Sequence, residues 1–195
     1  MSSKEKILGK IRASAGERFD MPSLEDLAPL VFEDPVAAFI DMTAKVGGKA
    51  VEVPSGGDVN AVIRDLFPEA DSIASNLPEI RIASANPDLV DNAAALDGTD
   101  IGVVSGTVGV AENGGVWVPQ TMKEKAVCFI CEHLVILLPR DAIVSNMHEA
   151  YKRIAFNDYG YGTFISGPSK TADIAQVLVM GAQAARSVTV LILSP

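Results

Sequence analysis

The sequence predicts an α/β fold built on a largely parallel sheet, and three observations carry that prediction. Strand-length apolar runs alternate with helical stretches, the rhythm of chains that cross back to lay strands in parallel. The final run, Val188–Leu193, is apolar almost throughout, as expected of a strand covered on both faces. From Asp100 onward, short strands punctuated by glycine read as antiparallel hairpins grafted onto that sheet.

Taken in order, residues 3–13 form a short amphipathic helix with Ser3 as N-cap and Ile7 and Ile11 one turn apart. Residues 14–33, with Gly16, Pro22 and Pro29, are an extended connector, so the chain divides into a helix and connector over 1–33 and an α/β domain over 34–195. Asp34 caps a second helix that has Pro35 at its first position and ends at Gly47-Gly48. A strand over Lys49–Val53, a helix over Asp58–Leu66 stopped by Pro68, and a strand over Asp71–Ser75 follow. The segments IGVVSG, TVGVAE, GVWVP, AVCFIC and LVILLP are five further strands. A helix near Ala142–Ile154, a strand over Thr163–Ser166, a helix over Lys170–Ala184 and the final strand complete the chain.

At 195 residues the chain is long enough to bury a sizeable core without a disulfide or metal staple. Its 25 acidic and 16 basic side chains give a net charge of −9, which opposes a nucleic-acid backbone or an anionic membrane surface as partner. The most apolar stretch, Ala126–Pro139, is broken by Glu132-His133 and is too short to span a bilayer. The amino terminus lacks the apolar run of a secretory signal, and two cysteines fit a reducing cytoplasm. Two cysteines also fall short of the four that ligate an iron–sulfur cluster.

Three constellations bear on chemistry. In Gly162–Ile174 a strand enters a Gly-Pro turn, and a helix is expected to start at Ser169, Lys170 and Thr171, where free amides, hydroxyls and an ammonium would bind an anion. The alternative is an ordinary capped helix with Asp173 in its first turn. Pro168-Ser169 interrupt what would otherwise approach a phosphate-binding loop, which excludes a Walker-type hydrolase. In Gly106–Gly115, Glu112 stands at a strand end beside the Asn113-Gly114 turn, either as a nucleophile or general base or as a solvated turn carboxylate. In Cys128–His133, cysteines three apart on a strand would face opposite sides and share no metal, so they read as two buried thiols. Trp117, Tyr151 and Phe156 read as packing groups.

Three of these segments also carry a family pattern. Gly106–Val118 (GTVGVAENGGVWV), His133 followed by LVILLP, and Ile165–Ile174 (ISGPSKTADI) together resemble the lactate-utilization (LUD) domain of the family that includes lactate utilization protein C. The SGPSKTADI block, Ser166–Ile174, matches the family pattern residue for residue. Three positions depart from it: Asn113 stands for a threonine, His133-Leu134 lacks the preceding proline, and Gly181-Ala182-Gln183-Ala184-Ala185 replaces a G-x-H-G-P turn. The resemblance implies a three-layer sheet similar to the sugar-isomerase and CoA-transferase superfamily. It also implies a place in a bacterial pathway oxidising lactate to pyruvate, beside iron–sulfur subunits that hold the redox cofactors.

The function expected is therefore a cytoplasmic accessory protein that binds an anionic small ligand and carries no cofactor or metal of its own. Its candidate ligand-binding residues are Gly106, Asn113, Gly114, His133, Ser166, Gly167, Ser169, Lys170, Thr171 and Asp173, and Glu112 is the candidate catalytic group. Two alternatives stand beside it: an acyl- or CoA-transferase-like enzyme using Glu112, and a small-molecule sensor. The β-rich middle also offers strand edges for a homo-oligomer.

Overall fold

The computed structural model describes residues 2–16, 19–20, 22–23, 28–155, 160–171, 177–183 and 185–195. A five-stranded, all-parallel sheet forms its middle layer, in the order β1 (Lys49–Val53), β11 (Ser187–Leu193), β6 (His133–Pro139), β3 (Ile101–Ser105), β2 (Ile73–Ala74). Strand β6 lies at its centre, and Leu134–Leu138 are all buried. Burying each such side chain is worth about 1.5–3 kcal/mol, so this strand anchors both faces.

Alternation along β6 divides the core. Val135 and Leu137 face a layer formed by Ile63 of α3 (Val59–Leu66) and Ile80. Leu134, Ile136 and Leu138 face the opposite layer, with Phe39 of α2 (Pro35–Lys45) and Val127 of α4 (Val127–Ile130). That second layer also holds a four-stranded sheet in the order β7 (Ile143–Val144), β4 (Val108–Val110), β5 (Gly115–Pro119), β8 (Gly162–Ile165). Helix α5 (Met147–Arg153) packs outside it, where Ala150 meets Val108, Val110 and Trp117. The result is the three-layer α/β arrangement expected, with helix α1 (Ser3–Ser14) ahead of it.

The glycines of GTVGV set how closely the two sheets approach. A Cβ at Gly106 would stand 2.3 Å from Val116 Cγ1 and 3.0 Å from Ile136 Cγ2, and one at Gly109 would stand 2.6 Å from Leu138 Cδ2. Helix starts follow the expected chemistry: Asp34 accepts the amides of Val36 and Ala37, and Asp58 accepts that of Asn60. On α1 the cap is Ser2, one residue earlier than expected, in a reciprocal capping box with Glu5.

Three elements differ from expectation. AVCFIC is no strand: Val127, Cys128 and Cys131 are buried at helical spacing while Phe129 is exposed, and Val127–Ile130 turn as α4. The helix after β6 starts at Met147, because Asn146 supplies the cap and Ile143-Val144 pair with β4 first. The helix expected over Lys170–Ala184 is absent from the described part of that range. There, β9 (Lys170–Thr171) pairs antiparallel with β10 (Val179–Met180), tied by Ser169 N–H to Ala185 and Gly181 N–H to Ser169. Phe156 and Asp173 lie outside the described residues, and Tyr151 is largely exposed.

Gly106→Ala is expected to lower the unfolding free energy by about 2–3 kcal/mol, since the methyl has no room between the sheets. Urea denaturation checks this, and an unchanged midpoint would contradict the close sheet approach.

Candidate functional site

The Ala111–Gly115 turn is fastened on three sides. Gly114 adopts φ +64° and lies so close to α2 that a Cβ there would stand 3.2 Å from the Thr43 backbone. Asn113 Oδ1 accepts the Gly115 amide at 2.9 Å, closing the turn. The Asn113 carbonyl accepts a 2.7 Å hydrogen bond from Ser166 Oγ, which brings the two strongest motifs of the sequence together. Glu112 looks the other way: its Oε1 accepts the Met147 amide at 2.9 Å, at the first position of α5.

Around that α5 terminus a network closes that the sequence reading passed over. Buried Asn146 donates to the Leu30 carbonyl at 2.8 Å and to Glu149, while Glu149 accepts the Ser145 amide. The spacing Asn146-x-x-Glu149 is the cap signature that would have revealed it.

Beyond Ser166, Gly167 takes φ +65°, with Val46 O only 2.4 Å from where its Cβ would stand. This conformation turns the chain so that Lys170 Nζ returns to within 3.4 Å of the Ser166 carbonyl. A cleft of about 330 Å³ opens here, with Gly167, Ser169 and Lys170 on its rim and Leu134, Val188 and Cys128 in its apolar wall. The helix-terminus account of an anion site fails, since Lys170 and Thr171 form a strand. The ammonium and the Ser169 hydroxyl remain as donors, on a scaffold of strand and turn.

The other predicted residues fall outside this cleft. Gly106 is buried between the sheets, and Thr171 is half-buried in β9 opposite Val179. His133 sits on the far face of the central sheet from its neighbour Leu134, as strand alternation requires. There its Nδ1 is 2.8 Å from Ser187 Oγ, and its ring lies against Phe67 with centroids 4.9 Å apart. Phe67, Glu69, Asp100, Glu132 and His133 line a second cleft of about 360 Å³, and Glu132 pairs with Arg186. The amides of Ser72 and Asp71, then the Ser72 hydroxyl, hold the Asp100 carboxyl below the usual carboxylate range, with His133 adding a smaller effect.

A third cleft, about 480 Å³, opens at the carboxyl ends of the parallel strands between Leu137 and Leu193, lined by Asp58, Asn60, Glu79 and Arg81. Arg81 pairs with Asp58 at 3.0 Å, while Asn60 accepts the Arg81 amide and donates to the Glu79 carbonyl. Open parallel sheets take ligands at this edge, and the Gly56-Gly57-Asp58 turn before α3 was the sequence signal for it. Among the described residues no group of three or more His, Cys, Asp or Glu side chains is arranged to hold a metal ion. Burial pushes the Cys128 thiol up to about 12, helped by Cys131, and raises Cys131 to about 11. No helix of the described residues is long and apolar enough to cross a membrane.

Fold and clefts together define a three-layer α/β protein whose polar motifs lie in the β4–β5 turn, in the loop after β8 and at the ends of the parallel strands. A family model for the LUD domain matches residues 84–193, more than half of the chain, and the chain belongs to the LUD domain family, which is linked to lactate utilization. The matched region holds the Glu112 turn, His133 and the Ser166–Lys170 loop. Among solved structures, the crystal structure of a DUF162 family protein from Deinococcus radiodurans is similar, at 15% identity and a TM-score of 0.66, over 85% of this chain and 99% of that one. A search of the curated proteins finds no match.

Asp100→Ala is expected to cost about 1–2 kcal/mol of stability at neutral pH, from the lost bonds to Ser72 and Asp71. Because the folded carboxyl titrates below the unfolded one, its stabilisation is full above the unfolded pKa of about 3.9 and is lost as pH falls through the folded value. The gap between wild type and variant should therefore close below about pH 4. Denaturant midpoints across that range test it, and a pH-independent gap would count against the assignment.

Proposed function

We propose that this protein is an accessory component of lactate-to-pyruvate oxidation that binds a small carboxylate in the Lys170 cleft. One observation carries the reading: Lys170 is held at the rim of a ligand-sized pocket by the Ser166 carbonyl, beside the Ser169 hydroxyl and over an apolar wall. A single ammonium with a hydroxyl beside it suits a carboxylate, and the apolar wall suits a short carbon chain. Oxidising lactate to pyruvate releases two electrons and two protons. In this reading the electrons pass to iron–sulfur subunits in separate chains, and the protein works with them in the cytoplasm.

Residues 34–195 act as one domain here, since β1 from the first part completes the sheet with β11 from the last. Asn113 and Gly114 shape the floor of the Ser166 loop, and Glu112 is a positioning residue that fastens the turn to α5. An acyl-transfer role for Glu112 would require its carboxylate to leave the Met147 amide, so the carboxylate-binding reading is the better supported one.

Calorimetric titration with lactate, pyruvate and inorganic phosphate tests this reading. One of the two organic acids should bind, and Lys170→Met should weaken binding by about tenfold to a hundredfold without changing the unfolding midpoint. Equal affinity in the variant, or binding of phosphate alone, would overturn it. Affinity capture with the iron–sulfur subunits tests the second half, and no association would contradict it.

A further inference from the structure

Helix α1 stands out because none of its residues is buried. Ile7 and Ile11 are each 59% exposed, and Leu8 lies on the same side. On helical spacing Lys4 stands in line with that apolar stripe, while Lys10 and Arg12 flank it. With Lys6, and against Glu5 alone, the helix carries +3; the whole chain carries −9, which leaves −12 on the remainder. The capping box of Ser2 and Glu5 marks a helix specified locally. It is nonetheless short for an isolated helix in water and gains from a surface on which to lie.

The cleft around Phe67 and His133 has the matching character. Leu66, Phe67 and Pro68 give it an apolar wall, and Glu69 and Asp100 give it carboxylates without an ion-pair partner among the described residues. We propose that α1 is a docking arm whose Ile7–Leu8–Ile11 stripe enters this cleft on a second copy of the chain, with its cations meeting Glu69 and Asp100, so that two copies exchange arms.

Charge complementarity selects an acidic partner, and the path of the chain selects a second copy. The segment after α1 joins the body where the Leu30 carbonyl accepts from Asn146 and the Phe32 amide donates to Ser145, in the layer across the central sheet from the cleft. In its own chain the arm would have to wrap from that layer to the layer of the cleft on residues 15–29, which reach at most about 50 Å when extended. A two-fold partner presents the cleft without that wrap, and reciprocal exchange closes the assembly at two chains.

Variants of the full chain that each add one surface cysteine test the exchange. Lys10→Cys and Glu69→Cys chains, mixed under mild oxidation, should form a disulfide-linked species of twice the 20.5 kDa chain mass. The native thiols are buried in the core. Light scattering should give the same doubled mass for the wild type, and Ile11→Asp, at an exposed position, should weaken the dimer about tenfold or more while leaving the urea midpoint unchanged. Three results overturn the proposal: no disulfide between the mixed Lys10→Cys and Glu69→Cys chains, a monomeric wild type, or a dimer indifferent to Ile11→Asp.

Discussion

The distance between the two stacked sheets is the constraint on which the rest of this structure depends. Bare backbone at Gly106 and Gly109 lets β4 and β5 settle directly onto Ile136 and Leu138 of the central strand. That contact places the Ala111–Gly115 turn against the end of α2, and the same sheet carries β8 and the loop that follows it. A β-carbon at either glycine would push the sheets apart and disturb the seat of the Ala111–Gly115 turn against α2. The motif glycines are thus packing residues whose effect is felt some distance away, at the polar loops.

The parts of the fold that were legible in the sequence are those specified by local chemistry. Asp34 and Asp58 announce their helices as caps, and the apolar runs of β6 and β11 announce doubly covered strands. What escaped was specified by tertiary packing. Residues 127–130 have strand-like composition, yet one buried side with Phe129 outward selects a helical turn. At Lys170–Thr171 the propensity for a helix yields to pairing with Val179–Met180, a contact that no window along the chain reveals. The site was legible in the same uneven way. Motif spacing picked out Asn113 and Ser166 as candidates but did not reveal the hydrogen bond between them, nor that Glu112 turns from them toward Met147.

Strand parity explains why the polar motifs divide. His133 and Leu134 are neighbours in sequence, yet pleating sends one toward Phe67 and α3 and the other into the wall beside Lys170. A central sheet with both faces covered therefore offers two chemically distinct environments. One is acidic and aromatic, and the other is apolar with a single cation among the described residues. An excess of acid over the body makes that cation the more distinctive, because it is placed where a carboxylate would otherwise meet like charge.

The pairing of β1 with β11 alone has a consequence for how the molecule is made. These strands are separated by more than a hundred residues, so β1 leaves the ribosome long before its neighbour exists. Until Ser187–Leu193 has been synthesised, the growing chain shows an open strand edge and the unpaired side of β6. Nascent chains in that condition are the ones holding chaperones protect, and a truncation removing the last strand would strand the polypeptide there. Closure of the central sheet must therefore wait for the synthesis of β11.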